Sequence, residues 1–336
     1  MELMTYQPQF KILANGNDIT AAIEQSFSEL TITDVSGEKA DTLSIKLDGT
    51  KIGKLPTKKA ALQVSLGFNG KLYKQGTFYV NDIGESGFPD VVTITATSIP
   101  LGGKELGTSI QTQRTQSWDE ITIADLLKTV AARNKLKDIV NEELGAIVIE
   151  HLDQTSESDM ALMTRLARQY GAVSKVSDEN WLFLKIGEGK NASGTKTLPV
   201  HTIYKSSCSR YQYKSNSRTE SSSAIAKWHN PETGETGVVS SGTGEPAFQI
   251  LYQYPTEKEA QAAANAKAKT MTDGSDTFSF STEATHQLVK AFAEGHVKPE
   301  GWRSEISDRN WCIKKIEKKL LPDRGVVVDI SCESTQ

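Results

Sequence analysis

The sequence predicts a mainly β protein with an α+β insertion, in which two small β-barrel-like domains flank a mixed helical module. Three observations predict it. Short runs of alternating apolar residues, each closed by turn residues, fill the first hundred positions. Helical periodicity is confined to the middle and to one later stretch, and strand-like alternation resumes toward the C-terminus. The expected boundaries are 1–104 for the first barrel-like domain, 105–190 for the module, and 191–336 for the second barrel-like domain, which carries a hairpin and a helix as an insertion.

In the first block Phe10, Ile12 and Ala14 alternate before Asn15-Gly16-Asn17-Asp18, and Leu30 and Ile32 before Asp34-Val35-Ser36-Gly37. Leu43, Ile45 and Leu47 run up to Asp48-Gly49. Leu62, Val64, Leu66 and Phe68 alternate most cleanly and end on Asn69-Gly70, the dipeptide suited to a type I′ hairpin turn into Leu72–Ile83. Val92, Ile94 and Ala96 form the last strand of the block, and Leu101-Gly102-Gly103 marks its exit.

The middle block opens on a short strand near Gln111–Trp118. Thr122 then caps a helix whose stripe is Ile123, Leu126, Leu127, Val130 and Ala131. Ile147–Leu152 reads as a strand and 153–159 as a loop. Ser156 is the expected N-cap, with Asp159 three residues on, of a helix bearing Met163, Leu166, Ala167 and Tyr170; Gly171 ends it. Val173 and Val176, a Ser177–Asn180 turn and Trp181–Ile186 complete the block. Gly187–Thr197 reads as a linker.

In the last block, strand-like residues 200–230 are interrupted by a polar gap at Ser215–Ser223. Ile225–His229 turns through Asn230–Glu235 into Val238-Val239, followed by a loop at Ser240–Gly244. Thr256 and Glu259 form a capping box for an alanine-rich helix over 257–271, and strands follow at Phe278/Phe280, Trp311–Ile316 and Val326–Ile330. No sequence repeat is visible between the two β blocks.

Composition narrows the function classes. A chain of 336 residues with 37% hydrophobic and 24% charged residues can fill two or three cores. No apolar run reaches membrane-spanning length, and Met1–Pro8 lacks the features of a signal peptide, so no membrane anchor is expected. Cys208, Cys312 and Cys332 are odd in number and lack ligand spacing, which argues against a metal site or a disulfide framework. A net charge of −4 gives no basic footprint for nucleic acid.

Catalytic groupings are scarce. There is no nucleophile elbow, no HExxH and no P-loop, and the glycines at 102–103 and 242–244 do not sit in a phosphate cradle. The histidines at 151, 201, 229, 286 and 296 lack ligand spacing, and His151 is expected to be a hydrogen-bonded, half-buried strand residue. Glu142-Glu143 and Glu157/Asp159 are the carboxylates a glycosidase would need, yet Asp159 is better explained as a cap. The run Lys314–Lys319 reads as the solvated face of a strand. No catalytic, cofactor-binding or metal-binding residue is assigned, and no cofactor is expected. Trp228-His229 at the hairpin and the Asn69-Gly70 tip are the candidate interface residues.

Glu157-Ser158-Asp159 with Thr164–Val173 resembles the phage late control gene D family, the hubs of contractile tail baseplates related to the T-even-type hub and to the N-terminal part of type VI secretion spikes. Leu30–Asp34, Ser36–Leu43, Leu62–Phe68, Gly76–Val80, Ser117-Trp118, Ala226–Trp228 and Asn310–Ile316 continue the resemblance in order, over most of the chain. The charged turn Leu320–Gly325 departs from it. The resemblance implies a homotrimer with two tube domains per chain, forming a ring that matches the hexameric tail tube to a trimeric spike. The implied partners are the tail spike protein, the tail tube or tube-initiator protein and the tape-measure protein. DNA would pass through without being specifically bound. The implied location is the virion tail baseplate, assembled in the bacterial host cytoplasm. The competing readings are a tail-associated peptidoglycan-degrading enzyme, and the equivalent hub of a tailocin or secretion system.

Overall fold

The structure, a computed structural model, describes residues 7–335 apart from 38, 54, 56, 57, 59, 101–109, 187–198, 216–222, 246 and 273–275. The expected exit at 101–103, the linker at 187–197 and most of the polar gap at 215–223 therefore lie outside the described residues.

The N-terminal part contains β1 (Pro8–Ala14), β2 (Asn17–Asp18), α1 (Thr20–Glu24), β3 (Phe27–Val35), β4 (Thr42–Asp48), β5 (Ala61–Phe68), β6 (Lys71–Ser86) and β7 (Val91–Thr97). Alternation dictates these strands: Leu43, Ile45 and Leu47 on β4 and Val92, Ile94 and Ala96 on β7 are buried on one face, while the residues between them are only half-buried. Asn69 and Gly70 both have positive φ (50° and 81°), the signature of the expected type I′ turn, and β5 pairs with β6 across it.

The middle part contains β8 (Gln113–Thr122), α2 (Ile123–Arg133), β9 (Lys137–Val140), α3 (Glu142–Gly145), β10 (Val148–Ser158), α4 (Asp159–Gln169), β11 (Ala172–Ser177) and β12 (Asn180–Lys185). Thr122 caps α2 as expected, its hydroxyl accepting from Asp125 N. Helix α4 starts later than the sequence implied. Its N-cap is Ser158, whose Oγ accepts from Ala161 N, and the segment read as a loop continues β10 with a bulge between Gln154 and Glu157. Ser156 lies in that bulge with φ 48°, and its backbone N–H donates to Thr115 Oγ1. Both helices turn their apolar stripes onto a separate core that holds Trp181 and Phe183.

The C-terminal part contains β13 (Val200–Tyr204), β14 (Cys208–Ser215), β15 (Ser223–His229), β16 (Thr236–Ser241), β17 (Ala247–Tyr254), α5 (Glu257–Thr272), β18 (Asp276–Glu283), β19 (His296–Glu300), α6 (Ser304–Ser307), β20 (Asn310–Leu321) and β21 (Gly325–Thr335). Strands β15–β17 form their own sheet, in the order β16-β15-β17, backed by the alanine face of α5. Helix α5 also meets the middle part, where Gln169 Nε2 donates to Glu259 Oε2 and Ala266 packs on Gly171.

The remaining strands of both ends run in one sheet, β14-β18-β21-β20-β3-β4-β7-β6-β5-β1-β2, with β13 and β19 attached through β20. The two halves of this sheet repeat each other. The first runs β3-β4-β7-β6-β5-β1 and the second β14-β18-β21-β20-β19-β13, with the same strand order and the same chain order once β15–β17 and α5 are set aside. Even the irregularities coincide: β6 shifts register against β7 between Val80 and Asp82, and β20 against β21 between Ile313 and Lys315. Likewise β3 shifts between Phe27 and Glu29, and β14 between Cys208 and Arg210. The halves also differ: β1 pairs β5 antiparallel, whereas β13 pairs β19 parallel, and the β5–β6 ladder is long with a register shift between Val64 and Ser65, whereas β19–β20 is a short ladder through His296 and Val297.

The halves join where β20 pairs β3 antiparallel, from Lys315↔Val35 to Leu320↔Leu30, and one core spans the joint from Phe10 to Cys332. Burying side chains of the size of Phe78, Phe278 and Trp311 contributes about 2–3 kcal/mol each.

The β5–β6 turn offers a test of how tightly the hairpin closes. A Cβ placed on Gly67 would lie 1.9 Å from the carbonyl oxygen of Lys71. Gly67→Ala is expected to cost about 1–3 kcal/mol through this overpacking, measured as a lower urea midpoint; an unchanged midpoint would refute the close approach.

Candidate assembly interface

Three segments of the chain meet at a buried charged seam. Asp34 comes from β3, Asp41 from the turn into β4, and Lys175 from β11 of the middle part. Lys175 Nζ lies 2.7 Å from Asp34 Oδ1 and 2.6 Å from Asp41 Oδ1, and it donates to Val35 O at 2.7 Å. Asp34 Oδ2 accepts from Ala293 N, which brings the C-terminal half into the same cluster. Asp41 Oδ2 accepts from Ser177 Oγ, while Ser98 Oγ accepts from Asp41 N and donates to Val176 O. A cavity of about 30 Å3 adjoins the seam, lined in part by Asp34, Asp41, Gln75, Phe292 and Lys318. It has room for about one water.

Lys318 is 1% exposed, so part of the basic run 314–319 is core rather than the expected solvated face. Its position in β20 turns it inward beside Ile316 and Leu320. Its Nζ donates to Gln75 Oε1 at 2.6 Å and Val289 O at 2.7 Å, and lies 4.5 Å from the Phe292 ring centre. Burial pulls its ammonium down to about 7. Burial, reinforced by the Asp34 charge, pushes the Asp41 carboxyl up to about 7. Burial opposes the charge on Asp34 too, but the Lys175 charge together with hydrogen bonds from Asp41, Lys175 and Ala293 N holds that carboxyl below its ordinary range.

The middle part has its own buried anchor. Asp159 is fully buried and accepts from Arg133 Nη1, Asn134 Nδ2 and Gln154 Nε2, with Arg114 Nε at 3.5 Å. Glu157 pairs with Arg165. These two carboxylates therefore tie β10 and α4 together and do not face each other across a cleft. His151 is exposed rather than half-buried, its imidazole held between Asp119 at 2.6 Å and Asp153 at 3.3 Å, and that pairing raises its pKa.

The four candidate interface residues fall in two places. Asn69 Oδ1 accepts from Gln7 N, and Gly70 N donates to Gln9 Oε1, so this tip is bound to the N-terminal strand. Trp228 and His229 end β15 in the separate three-stranded sheet. Trp228 is half-buried over Gly237, where a Cβ would lie 2.6 Å from its Nε1, while His229 is exposed. Tip and hairpin belong to different sheets. Sequence patterning missed the open strand edges: β14 is the last strand at one end of the large sheet, and Asp82–Ser86 of β6 pairs only with β7 among the described residues.

Comparison with known proteins places this architecture. Residues 106–319 match the family described as phage tail baseplate hub (GPD). The chain belongs to that family. It is 30% identical, over 98% of its length and 94% of the relative's, to the probable baseplate hub protein of Escherichia phage P2. In fold, this hub-family chain is similar to the tail protein of Neisseria meningitidis MC58 (TM-score 0.71, 12% identity, 98% and 97% of the two chains). It is also similar to the E. coli c3393 protein, a component of the type VI secretion system (TM-score 0.54, 9% identity, 97% and 77%).

The seam of this hub-family chain makes two expectations measurable. Lys175→Met leaves two buried carboxylates without their cation and is expected to cost about 3–5 kcal/mol at pH 8. Chemical denaturation checks this, and a loss below 1 kcal/mol would contradict the buried pairing. The second concerns pH. Lys318 is lowered to about 7 in the fold, against about 10.4 in the unfolded chain. Between these values the unfolded chain binds a proton the native state does not, so stability rises with pH. Asp41 has the opposite sign: raised to about 7 from about 3.9, it lowers stability as pH rises between them. The melting temperature of the wild type relative to Lys318→Met is therefore expected to climb from pH 7 to 10. That of Asp41→Asn relative to the wild type should climb from pH 4 to 7. Flat differences in both scans would show that neither group is buried as described.

Proposed function

We propose that this chain is the structural hub of a contractile tail, acting as a homotrimeric ring that adapts a hexameric tail tube to a trimeric spike. The observation that carries the reading is the internal duplication. Each chain supplies two sheet halves with the same strand order and two matching bulges, so three copies supply six similar units around an axis. Spike, tube or tube-initiator and tape-measure proteins are the proposed partners, the virion baseplate the proposed site of action, and the host cytoplasm the place of assembly. DNA passes without specific binding, in keeping with a net charge of −4, because little phosphate neutralisation is available to hold it. The role is symmetry matching rather than turnover: Glu157 and Asp159 are engaged in packing and ion pairs. The boundaries at 104 and 190 are proposed as the limits of the two tube domains. The Asn69-Gly70 tip and the Trp228-His229 hairpin are proposed as contact points for partners.

Light scattering of the purified protein tests the reading. The expected molar mass is three times the chain's 36.7 kDa. A monomer across the micromolar range, unchanged by adding the cognate spike, would overturn it.

A further inference from the structure

The joint inside the chain is a template for a joint between chains. Because the two halves share strand order and bulge positions, their residues can be equated through the registers. Val80↔Ala96 corresponds to Ile313↔Cys332, and Asp82↔Thr95 to Lys315↔Ser331, so Ile83, Gly84, Glu85 and Ser86 of β6 take the places of Ile316, Glu317, Lys318 and Lys319 of β20. In the same way Glu29↔Lys46 and Leu30↔Ile45 correspond to Arg210↔Ser281 and Tyr211↔Phe280, so Tyr211 to Ser215 of β14 take the places of Leu30 to Asp34 of β3.

Within the chain, the second half of β20 is covered by β3. Among the described residues its counterpart, Asp82–Ser86 of β6, has no strand on that edge, and the counterpart of β3, β14, ends the sheet. The exposure follows the same logic. Ile316 and Lys318 are buried, while Ile83 is half-buried and Glu85 exposed; Leu30 and Ile32 are buried, while Tyr211 is 46% exposed. Each half thus carries one element of a joint that the chain completes only once. Unpaired strand edges of this kind are templates for pairing with another chain.

We infer that β6 of one copy pairs antiparallel with β14 of the next, in the register Ile83↔Ser215, Gly84↔Lys214, Glu85↔Tyr213 and Ser86↔Gln212. The register is the in-chain pairing of Ile316↔Asp34, Glu317↔Thr33, Lys318↔Ile32 and Lys319↔Thr31 carried over residue by residue. The occupant of each edge is therefore a second copy of this chain, and the contact is head-to-tail, which closes into a ring when the rotation allows it. Charge fits the pairing: Lys214, opposite Gly84, has Asp82 as a diagonal neighbour on the same face. The inference rests on the ring reading above and adds to it the strands, the register and the residues of the contact.

Paired cysteines test the register. Directly opposed residues of an antiparallel pair have Cβ atoms about 4.5–5.5 Å apart, and successive pairs alternate between hydrogen-bonded and non-hydrogen-bonded sites. Ser86→Cys with Gln212→Cys, and Glu85→Cys with Tyr213→Cys, sample both kinds in the full chain. Mild oxidation is expected to give covalent dimers and trimers on a non-reducing gel from at least one pair. Neither the unsubstituted protein nor the misregistered pair of Ser86→Cys with Ser209→Cys should do so. Light scattering on the same samples separates the outcomes. A trimer that cross-links at neither matched pair, or equally at the misregistered one, overturns this register and leaves the ring reading standing. Cross-linked chains of indefinite length keep the strand pairing and overturn the closed trimer. Monomers without cross-links, unchanged by adding the cognate spike, overturn both.

Discussion

The structure depends on one strand that serves both halves of the large sheet. The first residues of β20 pair with β19 through Trp311 and Cys312, and those from Lys315 onward pair with β3. The change of partner falls at the bulge between Ile313 and Lys315, where an extra residue increases the local twist and re-aims the strand. Without that bend β20 would continue along its own half, and the two ends of the chain would bury separate cores. With it, a segment near residue 318 lies against one near residue 32, and a single core spans almost the full length of the sequence. This contact has a very large sequence separation, so the loop-closure cost is high and must be met by burial at the joint.

The charged seam stands on that joint. Salt bridges removed from water are weak sources of net stability, because desolvation offsets most of the attraction. What Lys175, Asp34 and Asp41 supply instead is geometry: a cation from β11 reaches two carboxylates on the first half, and one of those also accepts from Ala293 on the second. An apolar contact would tolerate sliding. Three charge-assisted hydrogen bonds donated by a single ammonium do not, so the middle part is held at one position over the joint. Lys318 extends the same device, with its amine fixed by Gln75 from β6 and the Val289 carbonyl.

Much of the fold was legible because local rules were obeyed. Asn69-Gly70, the Thr122 cap and the Thr256 cap acted through nearest neighbours and appear as expected. The errors came where tertiary partners overrode local chemistry. Ser156 looks like a cap, yet β8 captures its backbone through Thr115, the strand runs on, and Ser158 caps instead. Lys318 looks solvated in a run of lysines, but strand alternation places it between Ile316 and Leu320 in the core. The duplication was present in the sequence as Val91-Val92-Thr93-Ile94-Thr95-Ala96 and Val327-Val328-Asp329-Ile330-Ser331-Cys332, which share Val-Val-x-Ile. Three shared residues of a common β pattern carry no weight until the bulges on the neighbouring strands align them. The open edges were invisible for a deeper reason: exposure of a strand edge belongs to the sheet order, and no residue type announces it.

The two halves are alike in topology but differ where they join. Asp34, which Lys175 and Ala293 hold in the in-chain joint, has Ser215 as its counterpart on β14, and the buried Lys318 has the exposed Glu85. The in-chain joint is thus furnished with buried charges that need a complete set of partners from one polypeptide, and those partners are present as soon as the chain folds. The free edges carry exposed residues, Glu85, Gln212 and Lys214 among them, that water satisfies equally well. That asymmetry is what a subunit requires if it is to fold alone and assemble afterwards. A buried ion cluster at the open edge would penalise the unassembled chain heavily, whereas edges lined by solvated side chains cost little until a partner arrives.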